Sequence, residues 1–381
     1  MAEFRCDVCG EPALGLLDGY AVLPRVTSDC KPWPAGGKLA VCAACGAIQK
    51  LATPAWFDEI GRIYGDYEIY DLSDGAEQVI FTADGVPVPR SRVLADELAR
   101  HLDPRCAGGR LLDIGCGNGA ALRSFSRVLP GWSFAGSELS DRNLDAMRDI
   151  PGFAGLHTCP TAEIPGRFEA VTLIHSLEHM PDPLATLWEA RGLMAPGAVL
   201  LVEVPDAETS PFDLLVADHL NHFTRAGLGH VAARAGIAAE RLVNTVLPKE
   251  NTLLGRIAEP VNPPRPDPRA GRDLAERTLA WLQALLAGAA RTAAENRPFG
   301  IFGTSISGTW LWGALKGGVD FFVDEDATRI GRTLHGKPIL APDRVSAGAT
   351  VYIPLAPRIA PRVADRLSAL PVRFVVPPAV I

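Results

Sequence analysis

Hydrophobic positions between residues 110 and 204 follow two alternating periods. Short apolar runs at 110–114, 132–137, about 153–157, 168–175 and 199–204 read as buried strands. Between them, apolar residues recur at helical spacing: Leu122, Phe125 and Leu129 within 120–129, and Leu184, Leu187 and Trp188 within 183–193. A further helix is expected over about 141–148. Strands alternating with helices at this spacing predict an α/β fold with a parallel, doubly wound sheet. A helix near 224–236 leads to strand-like runs at about 241–247 and 252–258, which suit a terminal antiparallel pair. Upstream, Val93, Leu94, Leu98 and Leu102 form a helical stripe, with Ser91 as its N-cap.

The flanks read differently. The proline-rich stretch 261–268 is a stiff linker and a domain boundary. Beyond it come an amphipathic helix over about 272–295, a strand–turn–helix start at 298–308, a strand at 319–323 ending in Asp324, and a strand at 351–354. These predict a second, smaller α/β lobe, in which Gly300, Gly303 and Asp324 loosely mimic a dinucleotide site. The expected units are therefore residues 1–60, 61–260 and 261–381. The first is rich in proline and glycine and has little apolar periodicity, so its stability must come from something other than a core.

Cysteine spacing supplies that something. Cys6-x-x-Cys9 and Cys42-x-x-Cys45 are two thiol hooks, each followed by a glycine, Gly10 and Gly46. In a reducing compartment this pattern points to zinc, and four thiolates leave no open position, so the ion would be structural. Two unrelated cysteine pairs or a redox pair are the alternatives. Cys30, Cys106, Cys116 and Cys159 are scattered and read as packing residues. The formal net charge of -7 disfavours a nucleic-acid partner. There is no signal-peptide core at the start and no apolar run of membrane-spanning length, so a cytoplasmic protein with no membrane association is expected.

The chemistry centres on Asp113-Ile114-Gly115-Cys116-Gly117-Asn118-Gly119, where the first strand meets a glycine-rich turn. About twenty residues later the second strand ends in Glu138, followed by Leu139. An acid there accepts hydrogen bonds from both ribose hydroxyls, which implies an adenosine-containing cofactor. The turn lacks the third glycine spacing of a pyrophosphate site and has no lysine for phosphates. Asp113 suits a cationic amine or sulfonium neighbour. S-adenosylmethionine fits all of these features.

Here the chain resembles the class I methyltransferases. The 113–119 turn matches their first motif, and Phe168 to Met180 followed by Pro-Asp-Pro resembles their fourth-strand region. The resemblance implies that the 158–162 loop, with Ala162, lies near the adenine and that His175 lies near the methyl donor. The whole layout is similar to that of C-methyltransferases acting on nucleotide-linked deoxysugars. The local match is Pro211-Phe-Asp-Leu-Leu-Val-Ala-Asp-His-Leu-Asn-His-Phe-Thr224. On that register Asp218 stands for the family's glutamate and His219 for its general-base histidine. Val216 and Ala217 replace the family's tyrosine and first histidine, and residues 251–256 are only a loose counterpart of a later family segment.

A carbon acid beside a ketone needs a base that titrates near neutral pH, which suits histidine. His219 is the expected base, with Asp218 near enough to orient an imidazole or bind a substrate hydroxyl, and His222 as the second choice. His179 and His230 read as loop or cap residues. Tyr64, Tyr67 and Tyr70 cluster within seven positions. They either pack between lobes or send one phenol, Tyr67, to the cofactor or substrate. The expected partner is a small polar molecule, such as a nucleotide-linked keto sugar. O- or N-methylation in a natural-product pathway and a non-catalytic binding module remain open, as does oligomeric state.

Overall fold

The computed structural model describes residues 4–67, 77, 79–81, 87–103 and 108–379. Tyr70 and Cys106 lie outside them.

The central sheet has seven strands, numbered here within it: β1 Arg110–Ile114, β2 Ser133–Ser137, β3 Phe153–His157, β4 Phe168–Ile174, β5 Met194–Pro205, β6 Ile237–Val243 and β7 Glu250–Ile257. Their order is β3-β2-β1-β4-β5-β7-β6. β1 to β5 are parallel, and β7 is antiparallel to both of its neighbours. The expected α/β doubly wound sheet is therefore present. Both of its faces are covered, which is why the strands read as continuous apolar runs. Leu111, Ala170, Val199 and Leu201 pack on one side with Leu122 and Phe125. Leu112, Val171, Leu200 and Val202 pack on the other with Leu187 and Val231. The chain turns to opposite sides of the sheet after β1 and after β4, and a ligand crevice forms at the carboxyl ends of such a pair.

Local chemistry starts the helices. Asp182 accepts the Ala185 N–H at 2.8 Å, with Pro183 in the first position of helix Pro183–Leu193. Thr224 caps Arg225–Arg234 through the Gly227 N–H at 3.1 Å. Each cap contributes about 1 kcal/mol. Helix Pro268–Glu295 begins earlier than its apolar stripe, because Asp267 caps it and Pro268 takes the first position, where a proline costs no hydrogen bond. The helix expected over 141–148 shrinks to Leu144–Met147. The first strand of the terminal pair is Ile237–Val243 rather than 241–247. It leaves the Gly236 turn (φ 74°) directly, and its two alanines carry little strand signal.

On the N-terminal side, Leu14–Leu16, Leu39–Cys42 and Ile48–Lys50 form a sheet whose fourth strand, Asn221–His222, comes from the far end of the central region. Leu39, Val41 and Ile48 share a core with Leu214, Leu215 and the inner face of helix Pro268–Glu295. On the C-terminal side, six strands form a second sheet in the order Thr333–Leu334, Lys337–Leu340, Phe321–Val323, Phe299–Phe302, Thr350–Tyr352, Arg373–Val375. Its first two strands and its last, and helix Ala360–Arg366, are not among the elements expected from the sequence. Among the described residues no helix is long and apolar enough to cross a membrane.

Candidate active site

A cleft of about 1470 Å³ opens at the carboxyl ends of β1, β2 and β4. Its walls include the glycine turn, Ser28 and Tyr64 from the N-terminal side, and Thr304, Ser305, Arg329 and His335 from the C-terminal lobe.

The turn after β1 needs its glycines. Gly115 sits at φ 78°, and a Cβ on it would lie 2.5 Å from the Ser176 Cβ. Glu138 ends β2 in this turn, accepting the Gly117 N–H at 3.0 Å and the Leu139 N–H at 2.7 Å. Its remaining lone pairs face the cleft that Gly117, Glu138 and Leu139 line. Leu139 is 79% exposed and offers an apolar wall. Gly119 caps helix Ala120–Val128 in the left-handed conformation. Cys116 also lines the cleft, and burial pushes its thiol up. Asp113 is buried, and its Oδ1 accepts the Thr172 hydroxyl at 2.6 Å. Burial raises its pKa to about 7, so a cation beside it would draw out its charge. The loop 158–161 lines the cleft, but Ala162 does not: it is exposed in the short turn Thr161–Glu163, and Cys159 and Thr161 take the place expected for it.

His175 lies on the cleft wall with φ 50°, its N–H bonded to the Glu203 carbonyl at 2.9 Å. Its Nε2 meets Arg90, and its Nδ1 lies 3.3 Å from Glu178. Burial, then the Arg90 charge, lower its pKa to about 3, so this imidazole stays neutral.

The histidine cluster is organised by a residue that the sequence did not single out for this role. Asp213, in the 3-10 turn Pro211–Leu215, meets His219 Nδ1 with Oδ1 and His222 Nδ1 with Oδ2, each at 2.6 Å. Burial disfavours its charge, but His222 and His219 outweigh that and hold Asp213 well below the usual carboxylate range. In return, Asp213 raises the pKa of His219 against the effect of burial. With Nδ1 donating to Asp213, the His219 Nε2 is left as the open nitrogen on a cleft-lining ring.

Two expectations are corrected here. Asp218 does not orient His219: its carboxylate accepts the Ser28 N–H at 2.9 Å and the Ser28 hydroxyl at 2.5 Å, the imidazole it approaches is that of His179, 3.5 Å away at Nδ1, and it is fully buried away from the cleft wall. Successive side chains in this turn point apart, so the acid six residues back reaches the ring and the adjacent one does not. His222 is not available as a second base. It is buried off the cleft, its Nδ1 is held by Asp213, and its Nε2 lies 3.2 Å from Lys50 Nζ. Burial, then Lys50, lower its pKa to about 4.

His179, expected to be a loop residue, is part of the cluster. Its Nδ1 lies 3.0 Å from the Asp218 carbonyl and 3.1 Å from the Tyr64 hydroxyl, and its ring meets His219 edge-on at 4.6 Å. Burial, then His219, lower its pKa. Donor atoms of Glu178, His179 and His219 lie within 4.8 Å of one another. Such a group of lone pairs favours a proton on His219. The Tyr67 hydroxyl lies 3.2 Å from Ser28 Oγ and donates to it, since the one Ser28 hydroxyl proton goes to Asp218, and the Tyr67 ring meets Tyr64 edge-on at 5.7 Å. Both tyrosines line the cleft, and Tyr64, not Tyr67, bonds a cluster imidazole. Lys50 carried no sequence signal at all.

The four hook cysteines converge. Cys6 and Cys45 sulfurs are 3.6 Å apart, Cys9 and Cys42 sulfurs 3.7 Å, and all four lie within 4.8 Å of one another. Zinc–sulfur bonds of about 2.3 Å in a tetrahedron require sulfurs about 3.8 Å apart, so the donor set fits that ion. The Cys9 and Ala44 N–H groups point at Cys6 and Cys42 sulfurs, at 3.5 and 3.4 Å, as donors to thiolates.

With this geometry in view, the comparisons with known proteins are specific about the central sheet. Residues 89–242 match the family model described as a methyltransferase domain. The ubiquinone biosynthesis O-methyltransferase of Xanthomonas campestris pv. campestris (strain B100) is 29% identical over 32% of this chain and 55% of its own. That of Xanthomonas axonopodis pv. citri (strain 306) is 28% identical over 39% of this chain and 66% of its own. The chain thus spans about 55% of the length of the first of these relatives. The structure of the mitomycin 7-O-methyltransferase MmcR is similar over 44% of this chain and 53% of its own, at 18% identity and a TM-score of 0.39. Residues 89–242 thus carry a methyltransferase domain.

Proposed function

We propose that this protein transfers a methyl group from S-adenosylmethionine to a small polar acceptor that His219 deprotonates. The observation that carries this reading is the Asp213–His219 pair, with its open Nε2 on the wall of the cleft that also holds the glycine turn and Glu138. Bound there, the cofactor supplies an electrophilic methyl group on a sulfonium. Glu138 and the turn would hold the ribose and Asp113 would sit near the cationic end. Leu139 and the 158–161 loop would enclose the adenine. His219 Nε2 takes the proton that the acceptor loses as its new bond forms, and Asp213 stabilises the imidazolium. Tyr64 and His179 are placed to orient the acceptor. Cys6, Cys9, Cys42 and Cys45 would bind a structural zinc ion.

The favoured acceptor is a carbon acid beside a ketone in a nucleotide-linked keto sugar. Residues 1–60, 61–260 and 261–381 then act as zinc lobe, cofactor domain and closing lobe around one cleft of about 1470 Å³. A second reading, methylation of a hydroxyl, is favoured by the relatives named as O-methyltransferases. His219→Ala is expected to abolish turnover and leave cofactor affinity within about twofold; a mutant with normal rate sinks the proposal. Hydrogen loss from the acceptor carbon in heavy water separates the two acceptors, since only carbon methylation breaks that C–H bond.

A further inference from the structure

Lys50 is completely buried at the end of strand Ile48–Lys50, which pairs antiparallel with Asn221–His222. Its Nζ lies 2.6 Å from the Val216 carbonyl, 2.6 Å from the carbonyl of His219 itself, and 3.2 Å from His222 Nε2. Three acceptors match the three N–H bonds of an ammonium group. Two of these contacts pin the backbone on either side of Asp218, which sets where the His219 ring emerges. The third requires a lone pair on His222 Nε2, so His222 must carry its proton on Nδ1 and donate it to Asp213. That leaves Asp213 Oδ1 for the Nδ1–H of His219 and frees the His219 Nε2.

We infer that Lys50 is a positioning residue for His219, acting through a line Lys50–His222–Asp213–His219, so that the N-terminal lobe completes the active site instead of only flanking it. The inference rests on the reading of His219 as the base. The strand that carries Lys50 begins three residues after Cys45, so the hook cysteines fix its start. A neutral side chain of similar size would fill the same space but would leave the His219 carbonyl and the His222 Nε2 without a donor, and the Val216 carbonyl with only the His219 N–H at 3.3 Å. Other ionisable groups acting on the cluster are His175 and His179, which line the cleft, the buried Glu178 and Asp218, and the Arg25–Glu59 ion pair on the Lys50 side. Burial penalises the Lys50 charge and lowers its pKa to about 7, with Asp213 opposing this, so the three-donor ammonium form prevails below about pH 7.

Two measurements test this on the full chain. In the wild-type protein, nitrogen-15 spectra of the imidazoles should show His222 as the neutral Nδ1–H form without titration between about pH 6 and 8. An Nε2–H form, or an imidazolium over that range, overturns the assignment, and this result needs no variant. Lys50→Met should lower kcat roughly 30-fold with S-adenosylmethionine affinity within about twofold, and should bring His222 into titration over the same range. Unchanged kcat, or a loss of rate matched by an equal loss of cofactor affinity, overturns it. An active His219→Ala variant would instead remove the base itself; an inactive His219→Ala with a normal Lys50→Met removes only the Lys50 role.

Discussion

Asp213 Oδ1 lies 2.6 Å from His219 Nδ1, across one turn of chain, while the neighbouring Asp218 faces Ser28. The acid that tunes the proposed base is thus the earlier aspartate, and its second oxygen holds His222 at the same distance.

This shared carboxylate makes Asp213→Asn a severe substitution. An amide has one acceptor oxygen for two imidazole N–H donors, so one histidine must move its proton to Nε2. Turnover should fall by roughly 100-fold or more, with cofactor affinity retained. The pH profile adds a sign. His219 works as a base only when neutral, so kcat rises with pH through its pKa. Burial lowers that pKa, but the hydrogen bond and charge of Asp213 outweigh it and raise it above the ordinary imidazole value. The acidic limb of the wild-type profile therefore lies above about 6.5, and residual Asp213→Asn activity should extend to lower pH. An unmoved limb would mean that another group controls it.

Glu138 already accepts two backbone N–H bonds, so it is held in place for further donors. On the proposed reading, replacing it by alanine would remove two charge-assisted contacts to the cofactor ribose. S-adenosylmethionine affinity, measured by calorimetry, should weaken roughly 10- to 100-fold. The rate at saturating cofactor should change much less, because the methyl-transfer geometry is set elsewhere.

The sulfur spacing of Cys6, Cys9, Cys42 and Cys45 calls for one zinc ion per chain, countable by elemental analysis. Cys42→Ser should lose it and lower the unfolding temperature, since this lobe has little core of its own to replace the metal. Full metal retention in that variant would contradict the tetrahedral assignment.

Tyr64→Phe removes the hydroxyl that meets His179 Nδ1 at 3.1 Å and leaves the ring packed against Tyr67. One lost hydrogen bond of about 1 kcal/mol should reduce kcat by roughly 5- to 10-fold, with the fold intact by thermal melting. An equal loss in Tyr67→Phe would show that the two phenols act together through Ser28.

The sequence alone determined the features set by short-range pattern. Apolar runs on β1, β4 and β5 had to be buried on both faces, and the 113–119 turn followed by Glu138 announced the cofactor end of the sheet. Cysteine hooks at fixed spacing brought four sulfurs together as expected. Paired alanines hid the start of β6, and shortness hid the sheet pairing of Asn221–His222 and the outer strands of the C-terminal lobe, because their stability comes from neighbours distant in sequence. The proton-handling groups were decided by tertiary structure alone. Adjacent residues such as Asp218 and His219 point apart in a tight turn, Asp213 and His179 meet His219 from other turns, and Lys50 reaches the His219 carbonyl and His222 from the strand that pairs with Asn221–His222. A pattern along the chain records which side chains must be buried. It does not record which buried polar groups will satisfy one another.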